Sequence, residues 1–302
     1  MWHEEQYRCH VRVAAIQVAT TLDPEQNRRV VADRLAVAAR GGVDLVVFPE
    51  ATMATFGDAS FDLSSVAEPL DGPFVACLAE EASRHRLTVV AGMFEQPSRA
   101  GAGAAHGAGA AHGAGAAHGA GAAVDDGRVY NTVVVVGPSG LLGAYRKLHL
   151  FDALGARESD RVVAGDVADG VLAVPLAEGF VLGVMTCYDL RFPESARALV
   201  DRGATILALP AHWYNGPGKA DVWATLVRAR AIESTAYVVA AGKPEDEAVG
   251  RSMVVDPLGE VVAELDGKAE DLVLADVSAA RVSAVRTMLP VLEHRRFAVV
   301  AR

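Results

Sequence analysis

The chain has 302 residues, 51% of them hydrophobic and 22% charged, so it can bury a sizeable core and global disorder is excluded. Its formal net charge of −10 argues against general binding of nucleic acid or of an anionic membrane surface, since both need an excess of Lys and Arg. Three cysteines, Cys9, Cys77 and Cys187, show no metal-knuckle or disulfide spacing, and the first ten residues carry no secretory pattern; both observations point to a reduced, cytoplasmic setting.

Residues 11–19 form an apolar run that predicts a buried strand. Pro24–Arg40 has helical spacing, with Val30, Val31, Leu35 and Ala38 on one face. Asp23 is placed to cap this helix, Pro24 suits its first position, and Gly41-Gly42 ends it. Residues 44–50 predict a short buried strand that stops at a Pro-Glu corner. Pro73–His85 predicts a second helix and residues 87–94 a third strand, and this alternation indicates an α/β layered fold.

Residues 101–123 break the rhythm. They consist only of Gly, Ala and His in a repeating six-residue unit, with no side chains able to build a core. The composition predicts a disordered surface loop inserted between two strands. His106, His112 and His118 would share one side of an extended chain and could meet a metal, but nothing in the repeat would orient them. A repeat expansion without a role is the favoured reading.

Order resumes at Tyr130, with strands at 133–136 and 141–147 joined by the turn Gly137-Pro-Ser-Gly140. Residues 152–169 read as an irregular loop. A strand pair at 171–176 and 180–185 follows, then a helix at 193–202, a strand at 204–209, a helix at 220–234 and a strand at 237–241. A hairpin through Asp256-Pro-Leu-Gly259, a strand at 271–277 and a helix from Ala279 complete the chain. No linker separates two cores, so residues 11–296 read as one domain, with tails at 1–10 and 297–302.

Cys187 carries the sharpest chemical signal. It ends a buried strand and precedes a helix that opens at Pro193, which would expose a nucleophile above a sheet edge. A thiol needs a base or a cation beside it to react, and a lone cysteine is more commonly a buried structural one. Glu50 ends its own strand at the carboxyl edge of the sheet, where α/β sites gather; taken alone it reads rather as a solvated loop residue or a helix-capping acid. Lys147 ends the strand at 141–147 and could be a surface charge, or a fixed cation that favours a thiolate and then an oxyanion. His149 is the rival base, although no Asn or Asp partner for a Cys–His pairing stands out by position. Asp189, Arg191 and Glu194 are read as braces of the loop after Cys187, with Arg191 also able to meet an acidic group. His212, Trp213 and Tyr214 follow a strand end and read equally as aromatic packing or as a substrate border. Trp223 sits at helical spacing with Leu226 and Val227 and reads as packing; Cys77 has no charged neighbourhood to activate it.

Taken together, Phe48-Pro-Glu50, Tyr145-Arg-Lys-Leu-His-Leu-Phe-Asp152 and Cys187-Tyr-Asp-Leu-Arg-Phe-Pro-Glu194 resemble the three signature blocks of the nitrilase superfamily of carbon–nitrogen hydrolases, in that family's order. Arg157-Glu-Ser159, Arg228-Ala-Arg-Ala-Ile-Glu233 and the stretch from Gly250 to Gly259 are similar to further family segments. The resemblance implies an α-β-β-α sandwich of the four-layer-forming kind, a homodimer or higher homo-oligomer, and no metal or organic cofactor. It implies that Cys187 attacks the substrate, that Glu50 is general base and acid, that Lys147 and the Tyr188 N–H hold the oxyanion, and that Glu158 positions Lys147 and the substrate nitrogen. It places Arg191, His212, Trp213 and Tyr214 at the substrate. The blocks are most similar to the ω-amidase and deaminated-glutathione amidase branch, which implies a small linear amide as substrate. A nitrilase or carbamoylase on the same residues, or a catalytically idle partner-binding member, are the alternatives. The Gly/Ala/His insertion is not a family feature, and the tail His294-Arg-Arg-Phe lacks the proline common after the paired arginines.

Overall fold

The computed structural model describes residues 10–97, 126–244 and 248–302. The Gly/Ala/His repeat, with its three histidines, and Cys9 lie outside the described residues.

The first half of the chain builds one sheet. Strand β1 (His10–Gln17) leads into helix α1 (Pro24–Arg40), β2 (Leu45–Val47), helix α2 (Pro73–His85), β3 (Thr88–Glu95), β4 (Val129–Gly137), β5 (Gly140–Arg146) and β6 (Val162–Val163). Helix α1 starts where expected because the Asp23 carboxylate accepts the Glu25 N–H at 2.9 Å and Pro24 needs no amide partner. The sheet order is β13-β1-β2-β3-β4-β5, with β6 beside β4; β13 (Asp271–Ser278) comes back from the end of the chain to pair antiparallel with β1. The insertion lies between β3 and β4, which pair antiparallel from Val89–Val136 to Glu95–Tyr130.

The second half builds the other sheet from β7 (Leu172–Pro175), β8 (Val181–Val184), β9 (Ile206–Ala211), β10 (Tyr237–Gly242), β11 (Met253–Val255) and β12 (Val261–Glu264), in the order β12-β11-β10-β9-β8-β7. Helices α3 (Pro193–Asp201) and α4 (Lys219–Ser234) cover its outer face, and α5 (Ala279–Met288) follows β13.

Alternation along the strands sorts side chains into three layers of core. In β1, Val13 and Ala15 face the other sheet and pack with Leu182, Ile206, Val239 and Val254. Ala14 and Ile16 face the opposite way, into the layer made with Val31 and Leu35 of α1 and Phe74 and Leu78 of α2. Trp223 of α4 is fully buried in the third layer with Leu199 of α3 and Leu207 of β9, as its helical spacing predicts. The layers therefore run α-β-β-α, the architecture implied by the resemblance.

Several boundaries differ from the expectation. Strand β1 ends at Gln17, whose fully buried side chain is held by distant backbone: its amide donates to the Asp266 and Ala269 carbonyls and its Oε1 accepts the Ser252 N–H. The stretch at 152–169 contains the 3-10 turns Glu158–Asp160 and Val167–Asp169 and strand β6. Among the described residues, no helix is long and apolar enough to cross a membrane.

Candidate active site

The carboxyl ends of β2, β5 and β8 converge on a cavity of about 400 Å³, a volume suited to a small molecule. Glu50, Lys147, Glu158, Cys187 and Tyr188 line it, as do Arg191, His212, Trp213 and Tyr214, so every site residue named from the sequence reaches one place.

Glu50 sits three residues beyond β2, on a turn held by backbone contacts. The Phe48 N–H donates to the Val90 carbonyl at 2.8 Å and the Met53 N–H to the Gly92 carbonyl at 3.0 Å. Ala51 takes a left-handed φ of 53°. Gly92 is required beneath this turn, since a Cβ there would lie 2.5 Å from the Ala51 nitrogen and 3.0 Å from Glu50 Cα. The side chain of Glu50, 1% exposed, accepts three hydrogen bonds: Oε1 from Lys147 Nζ at 3.0 Å and Asn131 Nδ2 at 2.8 Å, and Oε2 from the backbone N–H of His212 at 2.9 Å.

Lys147 follows β5 directly and is equally buried. Its Nζ also donates to Glu158, at 3.0 Å to Oε1 and 2.8 Å to Oε2. Burial opposes its charge, but Glu158 and Glu50 outweigh it and hold its pKa well above the ordinary lysine value. Glu158 is oriented in turn by the Phe151 N–H at 2.7 Å and by Asn131 Nδ2 at 3.0 Å. Asn131 thus bridges both carboxylates. The sequence reading missed it. The available signal was an amide inside the valine-rich strand β4, a costly placement unless it is hydrogen-bonded.

Cys187 opens the 3-10 turn Cys187–Arg191 three residues beyond β8, with a left-handed φ of 46°. A single non-glycine residue in this region stores strain and is sustained only by its surroundings. Asp189, fully buried, supplies them: its carboxylate accepts the Thr186 N–H at 2.9 Å and the Tyr145 hydroxyl at 2.8 Å. Arg230 Nη2 donates to the Leu190 carbonyl at 2.6 Å from below. The thiol was expected above an open sheet edge. It is instead 8% exposed, because the first sheet and the loop at His212 cover it, and its Sγ lies 3.6 Å from the His212 carbonyl. Burial and the neighbouring Glu50 carboxylate push the thiol pKa well up, with Lys147 opposing them only in part. This environment favours the thiol over the thiolate.

His149 does not act as the rival base in this geometry. Its Nδ1 is 2.7 Å from Asp189 Oδ1 and its ring stacks on Phe192 at 3.8 Å, and it does not line the cavity. The partner that sequence spacing did not reveal is therefore Asp189, a brace of the Cys187 turn. Arg191, expected to brace by ion pairing, lies over the Trp213 ring instead, with Cζ 5.0 Å from its centroid. Glu194 is exposed in the first turn of α3, where a carboxylate suits the helix dipole.

Aromatic rings form much of the remaining wall. Tyr188 meets Phe151 edge-on at 5.0 Å, and Tyr214 lies 5.2 Å from His212. Burial, then the charges of Glu50 and Cys187, raise the Tyr214 phenol to about 12, so it remains a hydrogen-bond donor. The other described cysteine, Cys77, sits half-buried on α2 with its pKa raised chiefly by burial, which fits a structural role.

A profile of the carbon–nitrogen hydrolase family matches residues 12–287. A deaminated glutathione amidase from Escherichia coli O157:H7 is 39% identical over 287 residues, spanning 95% of this chain and 97% of that one. A hydrolase from Mycobacterium tuberculosis is 35% identical over 302 residues, spanning 94% and 95%. The crystal structure of a carbon–nitrogen hydrolase superfamily protein from Xanthomonas campestris, with an arsenic adduct in its active site, superposes with a TM-score of 0.78 at 27% identity, covering 97% of this chain and 99% of that one. Together with the sandwich and the Glu-Lys-Cys constellation, these matches establish that the chain belongs to the carbon–nitrogen hydrolase family.

Proposed function

We propose that the protein hydrolyses a small linear amide through a thioester on Cys187, with the substrate preference of the ω-amidase and deaminated-glutathione amidase branch. The observation that carries this reading is the cluster in which Glu50 and Glu158 share Lys147 inside the cavity that also holds Cys187.

Each role follows from where charge is already balanced. Glu50 takes the thiol proton as Sγ attacks the amide carbon, so the buried thiolate never forms ahead of the attack. The carbonyl oxygen becomes an oxyanion beside Lys147 and the Tyr188 N–H, which stands in the first turn of its 3-10 helix where the helix itself offers no acceptor. Glu50 returns the proton to the departing nitrogen and the C–N bond breaks. It then removes a proton from water as the water attacks the thioester carbon, and gives that proton to the sulfur as the C–S bond breaks, which releases the acid and restores both the thiol and the Glu50 carboxylate. Glu158 keeps Lys147 fixed and receives the substrate nitrogen. Arg191, His212, Trp213 and Tyr214 border the rest of the substrate. No step needs a metal or an organic cofactor.

The same proposal holds that residues 11–296 work as one unit, that the protein is cytoplasmic, and that it assembles as a homodimer or larger homo-oligomer. Phe297 and Val300, at 91% and 79% exposure, are apolar side chains that a second copy would cover. An ammonia-release screen across small amides, ω-amides of keto acids, carbamoyl amino acids and nitriles tests the reaction. Turnover confined to nitriles or carbamoyl compounds overturns the amidase reading.

A further inference from the structure

Lys243 is fully buried yet does not line the cavity. It follows β10 directly, beside the end of β9, because Gly242 pairs with Ala211 across these two strands. Both strand ends reach the same corner of the other sheet. The His212 N–H meets the Glu50 carboxylate, and Lys243 Nζ donates to Thr20 Oγ1 at 2.5 Å. Thr20 stands three residues beyond β1, so the contact joins the two sheets.

The direction of the next bond follows from the donor types. An ammonium only donates, so the Thr20 oxygen accepts from Lys243 and its own proton is left for an acceptor. That acceptor is the Ala51 carbonyl, at 3.2 Å. A charged first donor strengthens the pair, since each bond polarises the next. Ala51 is the left-handed residue directly after Glu50, a conformation that persists only where its surroundings support it. Other supports of this corner come from the first sheet's own half of the chain: the Thr52 hydroxyl donates to the Pro49 carbonyl at 2.7 Å, and the Met53 N–H to the Gly92 carbonyl. The Lys243–Thr20 chain differs from these in beginning with a charge on the second sheet. Lys243, Thr20 and Ala51 are all buried, so bulk water is a poor substitute for a lost partner.

We propose that Lys243 is a positioning residue for the general base: through the Thr20 hydroxyl it holds the Ala51 carbonyl, and so aims the Glu50 carboxylate at the Cys187 thiol. A misaimed base slows proton transfer, whereas contacts between substrate and cavity wall are untouched. This inference rests on the amidase reading, in which Glu50 is that base.

Thr20→Val keeps the shape of the side chain and removes the hydroxyl, and Thr20→Ser keeps the hydroxyl. On the amide turned over fastest in the ammonia-release screen, Thr20→Val is expected to lower kcat about tenfold with KM within about twofold, and Thr20→Ser to recover most of the loss. Lys243→Met should lower kcat by a similar factor and cost nothing further in the Thr20→Val background, because both changes break one chain. An unchanged kcat in folded Thr20→Val, a Thr20→Ser as slow as Thr20→Val, or losses that multiply in the double variant overturn the role. If Lys243→Met does not fold, the two Thr20 variants decide. Alkylation of Cys187 by iodoacetamide needs no turnover, so it separates the two readings: if no amide is hydrolysed, the amidase reading fails while the positioning role still stands or falls on this measurement. Glu50 is one of the groups that disfavour the thiolate, so a displaced carboxylate lowers the pH midpoint of labelling. A lower midpoint in Thr20→Val that Thr20→Ser restores supports the role, and a midpoint that stays or rises overturns it.

Discussion

The two sheets contribute unlike halves to one cavity. The first sheet brings Glu50, Asn131 and Lys147, joined by Glu158 from the loop beyond β5, and each carboxylate oxygen there accepts at least one hydrogen bond. The second brings Cys187 on a left-handed residue, with its sulfur 3.6 Å from the His212 carbonyl oxygen. One half is electrostatically complete before substrate arrives. The other holds a neutral, strained nucleophile whose chemistry waits for the first half to remove its proton. Pre-organisation here means fixed charge on one side and fixed backbone on the other.

Replacing Cys187 with alanine breaks the comparison most severely. Ammonia release should fall by at least about 10⁴-fold. The melting temperature should stay within about 3 °C, since alanine keeps the Cβ at the strained position. A folded, pure variant that still releases ammonia would sink the assignment. Lys147→Met attacks the charged half and leaves two buried carboxylates without their shared cation. Stability to urea should drop by roughly 3–5 kcal/mol alongside activity, and an unchanged midpoint would show that the cluster is not held by charge.

Asn131→Ala is a gentler probe of the same half. It should cost about 1–3 kcal/mol and lower kcat more than KM, because Glu50 and Glu158 lose the amide that orients both. A change confined to KM would place Asn131 at the substrate instead. On the nucleophile's side, iodoacetamide labelling of Cys187 followed by mass spectrometry should keep rising past the free-thiol value near pH ~8.5. Glu50→Gln should move that midpoint down, since it removes the negative neighbour that disfavours the thiolate. A midpoint at or below the free-thiol value would contradict a neutral resting thiol. The smallest effect is expected from deleting residues 101–123, because the β3–β4 ladder closes without them. The melting temperature should move by no more than about 2 °C, and a large fall would give the repeat a structural role.

Local chemistry made much of the fold legible. The helices at Pro24–Arg40 and Pro73–His85 match their expected bounds because their caps, prolines and apolar periodicity lie within the segment itself. Strand ends were less legible, since they depend on partners from distant parts of the chain, as Gln17 shows by pairing with Asp271 of β13. The site followed the same division. Glu50, Lys147 and Cys187 each stand at a strand end and were visible in short blocks. Asn131 was not, because its partners lie 81 and 27 residues away. The pairing of His149 with Asp189 spans 40 residues and was hidden for the same reason. The burial of Cys187 depends on cover from the other sheet, which no local pattern announces.

The bond from the His212 N–H to Glu50 Oε2 joins the end of β9 to the corner after β2, and so ties one sheet to the other at the reacting atoms. Far-ultraviolet circular dichroism reports the strands of both sheets, whereas this bond exists only once the sheets are face to face. Ammonia release then reports the docking step alone. Timed against circular dichroism during refolding, the enzyme's own turnover would serve as a clock for the assembly of its sandwich.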